Sequence, residues 1–234
     1  MRLAIMQPYF LPYIGYFQLM AAVNKFIILD DVSFINRGWI NRNRIPVNEQ
    51  PHWLTVPLVK ASQNRLINEI DIVDDDGWKA KMLRTVEASY IAAPFAETIL
   101  NLFSQVLADA EGRLSTFLFR TLTQVAAYIG TDVCIEETSA IYPKKDRKGQ
   151  HRILDVCIRE GATSYVNPPG GRELYDTELF ASAGIELLFL NPNLDALSLR
   201  YSGQDGPVFS ILDLMMLNSC SALKEAVGMC RLVP

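Results

Sequence analysis

The sequence predicts an α/β fold: a mostly parallel, Rossmann-like sheet with helices on both faces and a helical insertion in the middle of the chain. Three observations carry that expectation. Short apolar runs that stop at turn residues alternate with helical patterns at both ends, three consecutive helical stripes fill the centre, and no repeat or low-complexity linker separates the parts. With 234 residues, 50% of them hydrophobic, the chain is long enough to bury a full core, and it reads as one domain over residues 1–234 with the insertion at about 76–130.

Leu3 to Met6 is an apolar run stopped by Gln7-Pro8, and Phe26 to Leu29 is another stopped by Asp30-Asp31; both suit buried strands. Between them Ile14, Phe17, Gln18, Leu19 and Ala22 follow helical spacing, so a strand–helix–strand unit with parallel pairing and a right-handed crossover is expected. From Trp39 to Leu58 the pattern alternates, with Trp53, Thr55 and Pro57 on one face and Leu54, Val56 and Leu58 on the other, and Pro57 marks an edge strand. A short strand is expected over Ile67 to Ile72. The acidic triplet Asp74-Asp75-Asp76 then reads as the cap and dipole partner of a helix.

Trp78, Met82, Val86 and Tyr90 mark that helix; Pro94 opens a second through Phe95, Ile99, Leu102 and Val106; Leu114, Leu118, Leu122 and Val125 mark a third. The last third alternates again: a strand at Val133–Ile135, a helix at Gln150–Glu160, strands at Ser164–Val166 and Ile185–Leu190, and a terminal helix with Ser210 as its N-cap.

Composition excludes some functions. A net charge of −4 and a pI near 5.3 leave no global basic footprint, so a nucleic-acid polymer is not an expected partner. Cys134, Cys157, Cys220 and Cys230 form no CxxC pair and have only His52 and His151 as further soft ligands, so no zinc site is expected and the thiols read as reduced. Cys157 fits a small core position. Gln7, Pro8 and Pro12 interrupt what would otherwise resemble a signal peptide, and no stretch reaches the roughly 18 apolar residues of a membrane span, so a cytoplasmic location is expected.

The chemistry-bearing residues cluster in four places. Asn36 to Arg44 packs Arg37, Arg42 and Arg44 with Asn41 and Asn43; guanidinium forks suit phosphate or carboxylate, while carboxamides both donate and accept. Asp30 and Asp31, at the end of an expected strand, would serve as general base or as ligands to Mg²⁺, with capping as the structural alternative. The aromatic turn from Gln7 to Tyr16 places Tyr13, Gly15 and Tyr16 where a helix begins and N–H groups are free for an anion. Finally, Asn167-Pro168-Pro169-Gly170-Gly171-Arg172 leaves a strand in a turn able to form a backbone nest, flanked by Arg172 and Tyr175. Lys145, in the basic run from Lys144 to Lys148, is a further anion-binding candidate, although such runs are often solvated loops. No serine or cysteine can be tied to His151 and Asp155, and GxSxG, Walker and GxGxxG motifs are absent.

The runs IMQPYFLPYIGYFQL, ILDDVSFINRGWINRNRI and ATSYVNPPGGRELYD resemble the WbqC-like family, bacterial proteins associated with O-antigen and related surface-polysaccharide clusters, and the resemblance covers most of the chain. It implies a biosynthetic pathway more than a reaction: a transferase using a small nucleotide-linked or phosphorylated substrate, with acyl or aminoacyl transfer to a nucleotide-linked amino sugar favoured. A weaker likeness is to the α/β nucleotidyltransferase and pantothenate-synthetase-like superfamily. There Tyr13-Ile14-Gly15-Tyr16 stands where that superfamily has its HxGH turn, with both imidazoles replaced by phenols. The alternatives are therefore a nucleotidyltransferase-like enzyme or a non-enzymatic nucleotide-sugar binding protein.

Overall fold

The computed structural model describes residues 1–193 and 209–234. In chain order it forms β1 (Arg2–Met6), α1 (Ile14–Ala21), β2 (Lys25–Ile28), β3 (Arg42–Val47), β4 (Gln50–Thr55), β5 (Leu58–Val59) and β6 (Asp71–Ile72). Three helices follow, α2 (Asp76–Tyr90), α3 (Ala96–Ala108) and α4 (Leu114–Ile129). The remainder comprises β7 (Cys134–Glu136), α5 (Gly149–Arg159), β8 (Ser164–Asn167), α6 (Thr177–Ser182), β9 (Glu186–Asn191), α7 (Ile211–Leu217), α8 (Cys220–Gly228) and β10 (Arg231–Val233).

Six strands make the central sheet in the order β10-β9-β8-β1-β2-β7, and every neighbouring pair is parallel except β9 with β10. The chain therefore moves outward from β1 through β2 to β7, then returns to the other side of β1 for β8 and β9. That reversal sets a topological switch point between β1 and β8, where open α/β sheets leave a crevice beyond the strand carboxyl ends. The period-2 rule divides the strand side chains between two cores. Leu3, Ile5, Ile27, Tyr165, Leu187 and Phe189 pack against α5 and α6; Ala4, Phe26, Ile28, Val166 and Leu188 face α1, α4 and α8. Cys157 is fully buried in the first of these cores.

Caps fall where the sequence places them: Asp75 accepts from Gly77 N–H at 2.8 Å to open α2, and Ser210 Oγ accepts from Leu212 N–H at 3.2 Å to open α7. Two expectations require correction. The stretch after Trp39 is a hairpin, β3 against β4, whose turn residues Asn48 and Glu49 both take left-handed φ (48° and 64°). That turn was hidden because neither residue is the glycine such a geometry favours. The strand expected at Ile67–Ile72 divides into a 3-10 turn over Ile67–Glu69 and the two-residue β6, with Glu69 folding back to accept from Leu66 N–H at 3.0 Å.

Lys25, at the start of β2, joins α5 to the sheet: its Nζ lies 2.8 Å from Glu160 Oε2 and 3.2 Å from Glu136 Oε2, while Tyr142 O–H donates to Glu160 Oε1 at 2.5 Å. Burial pushes the Glu160 carboxyl up, but the Lys25 and Tyr142 hydrogen bonds outweigh it and hold the group below its ordinary 4.5. Its contribution to stability is accordingly present above that ordinary value and lost as pH falls through the lowered one. Melting temperatures followed from about pH 7 to pH 3 should fall more steeply in the wild type than in Glu160→Gln.

Candidate active site

The parallel strands deliver their carboxyl ends to one edge. Gln7 follows β1, Asp30 and Asp31 follow β2, Thr138 and Ser139 follow β7, and Asn167 ends β8. The hydrogen bond from Leu29 N–H to Met6 O at 2.8 Å keeps β1 and β2 in step up to that edge.

Asp30 and Asp31 are nearly fully buried, and their settings differ. Asp31 lies between two cations: Arg152 Nη2 is 2.5 Å and Lys144 Nζ 3.3 Å from its Oδ2, and Ser139 O–H donates to its Oδ1 at 2.5 Å. Asp30 receives Thr138 O–H at 2.7 Å and Ser139 N–H at 3.2 Å, both on Oδ1. Burial pushes the Asp30 carboxyl above its ordinary value, partly opposed by the Thr138 and Ser139 donors. Two carboxylates with unequal surroundings take unequal roles: Asp31 is a structural counter-ion and Asp30 a candidate base. Mg²⁺ does not fit here, because Arg152 and Lys144 already neutralise Asp31 where a cation would have to approach. Among the described residues, no group of three or more His, Cys, Asp or Glu is placed to hold a metal.

The aromatic turn is held from several directions. Asn43 Nδ2 donates to Phe10 O at 3.2 Å and to Leu11 O at 2.8 Å, Ser210 Oγ donates to Leu11 O at 2.7 Å, and Phe10 N–H reaches Trp39 O at 3.2 Å. This bracing accompanies a left-handed Leu11 (φ 43°), a conformation that a branched side chain resists. Tyr16 is 3% exposed and donates to Gln7 O at 2.9 Å, so its phenol orders the turn and its one O–H is in use there. Tyr13 is half-buried and folds its ring over Gly15. A Cβ at Gly15 would stand 2.3 Å from Tyr13 Cε2, so the ring requires glycine at the first turn of α1.

On the other side of the switch point, Asn167 lies against Gly171, where a Cβ would come within 2.2 Å of Asn167 Nδ2. Gly170 is exposed beside it, and a Cβ there would meet nothing within 4 Å. Tyr175 turns to the ring cluster under β8, its hydroxyl 3.2 Å from that of Tyr165.

Several sequence-predicted residues are not brought to this edge. Arg172 stacks 4.5 Å over Phe189 and donates to Pro234 O at 2.8 Å, which ties it to β9 and the end of the chain. Asn41 donates to Val56 O at 2.8 Å within the hairpin region. Arg42 and Arg44 lie on the outward face of β3 with Trp53, while Arg37 is exposed in the preceding loop with left-handed φ (58°). Lys145 is exposed, and it is its neighbour Lys144 that reaches Asp31. Thr138, Ser139 and Arg152 were not singled out in the sequence. Arg152 alone left a signal there, being four residues before Val156 on the apolar stripe of α5.

The model of the WbqC-like protein family matches residues 7–225. The chain is also similar to the uncharacterized protein Rv1507c of Mycobacterium tuberculosis, 32% identical over 216 residues, which spans 92% of each chain. No solved structure gives a significant match. The span matched by the family model takes in the aromatic turn, both aspartates, the hairpin and the Asn167–Gly171 turn, and the chain belongs to the WbqC-like protein family.

Proposed function

We propose that this chain is a cytoplasmic biosynthetic transferase of surface-polysaccharide or related amino-sugar metabolism, moving an acyl or aminoacyl group onto a nucleotide-linked amino sugar. The observation that supports it most is the grouping of Gln7, Asp30 and Asn167 on the carboxyl edge that flanks the switch point. In this reading the sugar amine attacks the acyl carbonyl and Asp30 Oδ2 takes the amine proton. The Gly170 N–H is assigned to the oxyanion, since that of Gly171 already donates to Pro168 O at 3.0 Å, and the intermediate collapses as the donor's leaving group departs. Asp31 is no longer a base in this scheme; with Arg152 it positions Ser139, which in turn orients Asp30.

Nucleotidyl transfer has less support, since Tyr16 uses its hydroxyl on Gln7 O and offers nothing to a transferring phosphate. The non-enzymatic binding reading draws on the 2% exposure of Asp30. The two are separated by turnover. Incubating the protein with UDP- or dTDP-linked amino sugars and a panel of acyl-thioester and aminoacyl donors, followed by mass spectrometry, should give the sugar nucleotide with one added acyl mass. A nucleotide sugar that raises the melting temperature yet yields no product with any donor would favour the binding protein instead.

A further inference from the structure

Two of the three tryptophans, Trp39 and Trp53, stand at the outward face of the β3–β4 hairpin. Their rings lie 5.4 Å apart, and the residues keep 38% and 39% of their surface exposed. The Arg42 guanidinium is 4.1 Å from the Trp53 ring, and that of Arg44 is 5.4 Å from Trp39 and 5.7 Å from Trp53. Arg42 is held in that pose by donating to Gly38 O at 3.2 Å and to Arg37 O.

The hairpin is also held from its other side. Its inner face is anchored by Ile45 and Leu54, at 0% and 3% exposure, and by the Asn43 hydrogen bonds to the aromatic turn. The direct Arg44–Trp53 cross-strand pair accounts for one cation–π contact. It does not account for Trp39, which comes from the loop before β3, or for the second guanidinium. An uncharged sugar would use the rings without the cations, and inorganic phosphate the cations without the rings. A nucleotide uses both, its base stacking on indole and its phosphates pairing with guanidinium. The platform also adjoins the aromatic turn beyond β1, since Phe10 N–H donates to Trp39 O.

We infer that Trp39, Trp53, Arg42 and Arg44 form a binding platform for the nucleoside diphosphate part of the substrate, a deepening that rests on the transferase reading for its substrate class. Tryptophan fluorescence and calorimetry with UDP, uridine and pyrophosphate test it. UDP should quench the emission and bind more tightly than either fragment. Trp39→Ala and Trp53→Ala should each weaken UDP about 10- to 100-fold while leaving pyrophosphate binding unchanged. Trp53→Phe, which keeps a ring and guards against a folding defect, should retain most of the affinity. UDP binding within about twofold of wild type in the alanine variants overturns the inference, even if their melting temperatures drop, because the rings would then only brace the hairpin. A wild type that binds UDP no better than pyrophosphate overturns it as well. Either result leaves acyl transfer standing if product still forms, whereas intact ring-dependent UDP binding with no product from any amino-sugar nucleotide counts against the transferase reading alone.

Discussion

Asp30→Asn is expected to lower turnover about 10²- to 10⁴-fold, the range over which a positioned general base contributes. The substitution is nearly isosteric. It keeps an oxygen able to accept from Thr138 and Ser139 and removes the basicity assigned to Oδ2. Substrate affinity should therefore change little while kcat falls, the pattern of an interaction made in the transition state. Because burial pushes the Asp30 carboxyl above its ordinary 3.8, the wild-type rate should fall on the acid side at a pH above that value, and the limb should vanish in the variant. Kinetics of both proteins across pH check this. A variant within about threefold of wild type, or one keeping the same acid limb, would remove Asp30 from the chemistry.

Arg152→Met is expected to cost about 3–5 kcal/mol of folding stability, because it leaves Asp31 buried without its closest counter-charge. The side chains of the pair are only 8% and 6% exposed, and Arg152 also donates to Ser139 O at 3.3 Å and Tyr142 O at 3.4 Å. Lys144 stays 3.3 Å from Asp31 and is itself 41% exposed, so partial compensation places the loss toward the lower end of that range. Urea unfolding measures it directly. The double variant Arg152→Met with Asp31→Leu should recover part of the loss, since an apolar pair is less costly in that position than one orphaned charge. Equal stabilities of the single variant and the wild type would mean that the buried pair is energetically idle.

The strands and helices of the sheet were legible because each repeats its own signal. Leu3–Met6 and Phe26–Leu29 are short apolar runs with turn residues at their ends, and the α3 and α4 stripes recur every three or four residues. The switch point was not legible, since strand order depends on where β8 returns, and no local pattern encodes that choice. Site residues divided in the same way. Asp30 and Asn167 lie at strand ends, where position alone makes them candidates. The partners that separate Asp30 from Asp31 come from more than 100 residues further along the chain, and a chain with no alignment-like local motif gives no hint that Ser139 and Arg152 belong beside them. Arg172 shows how little sequence adjacency says about where a side chain is held. It adjoins the expected nest in sequence, but the apolar face of Phe189 and the carbonyl of Pro234 offer its guanidinium a closer partner. Tyr16 likewise stands in the expected ligand turn and donates to Gln7 O.

The most direct test of the central claim is amide hydrogen exchange with and without a saturating nucleotide-linked amino sugar. Peptides covering Gln7–Tyr16, Leu29–Asp31 and Asn167–Gly171 should slow on binding, since all three border the carboxyl edge at the switch point. Protection confined to other parts of the chain, with those three unchanged, would contradict it.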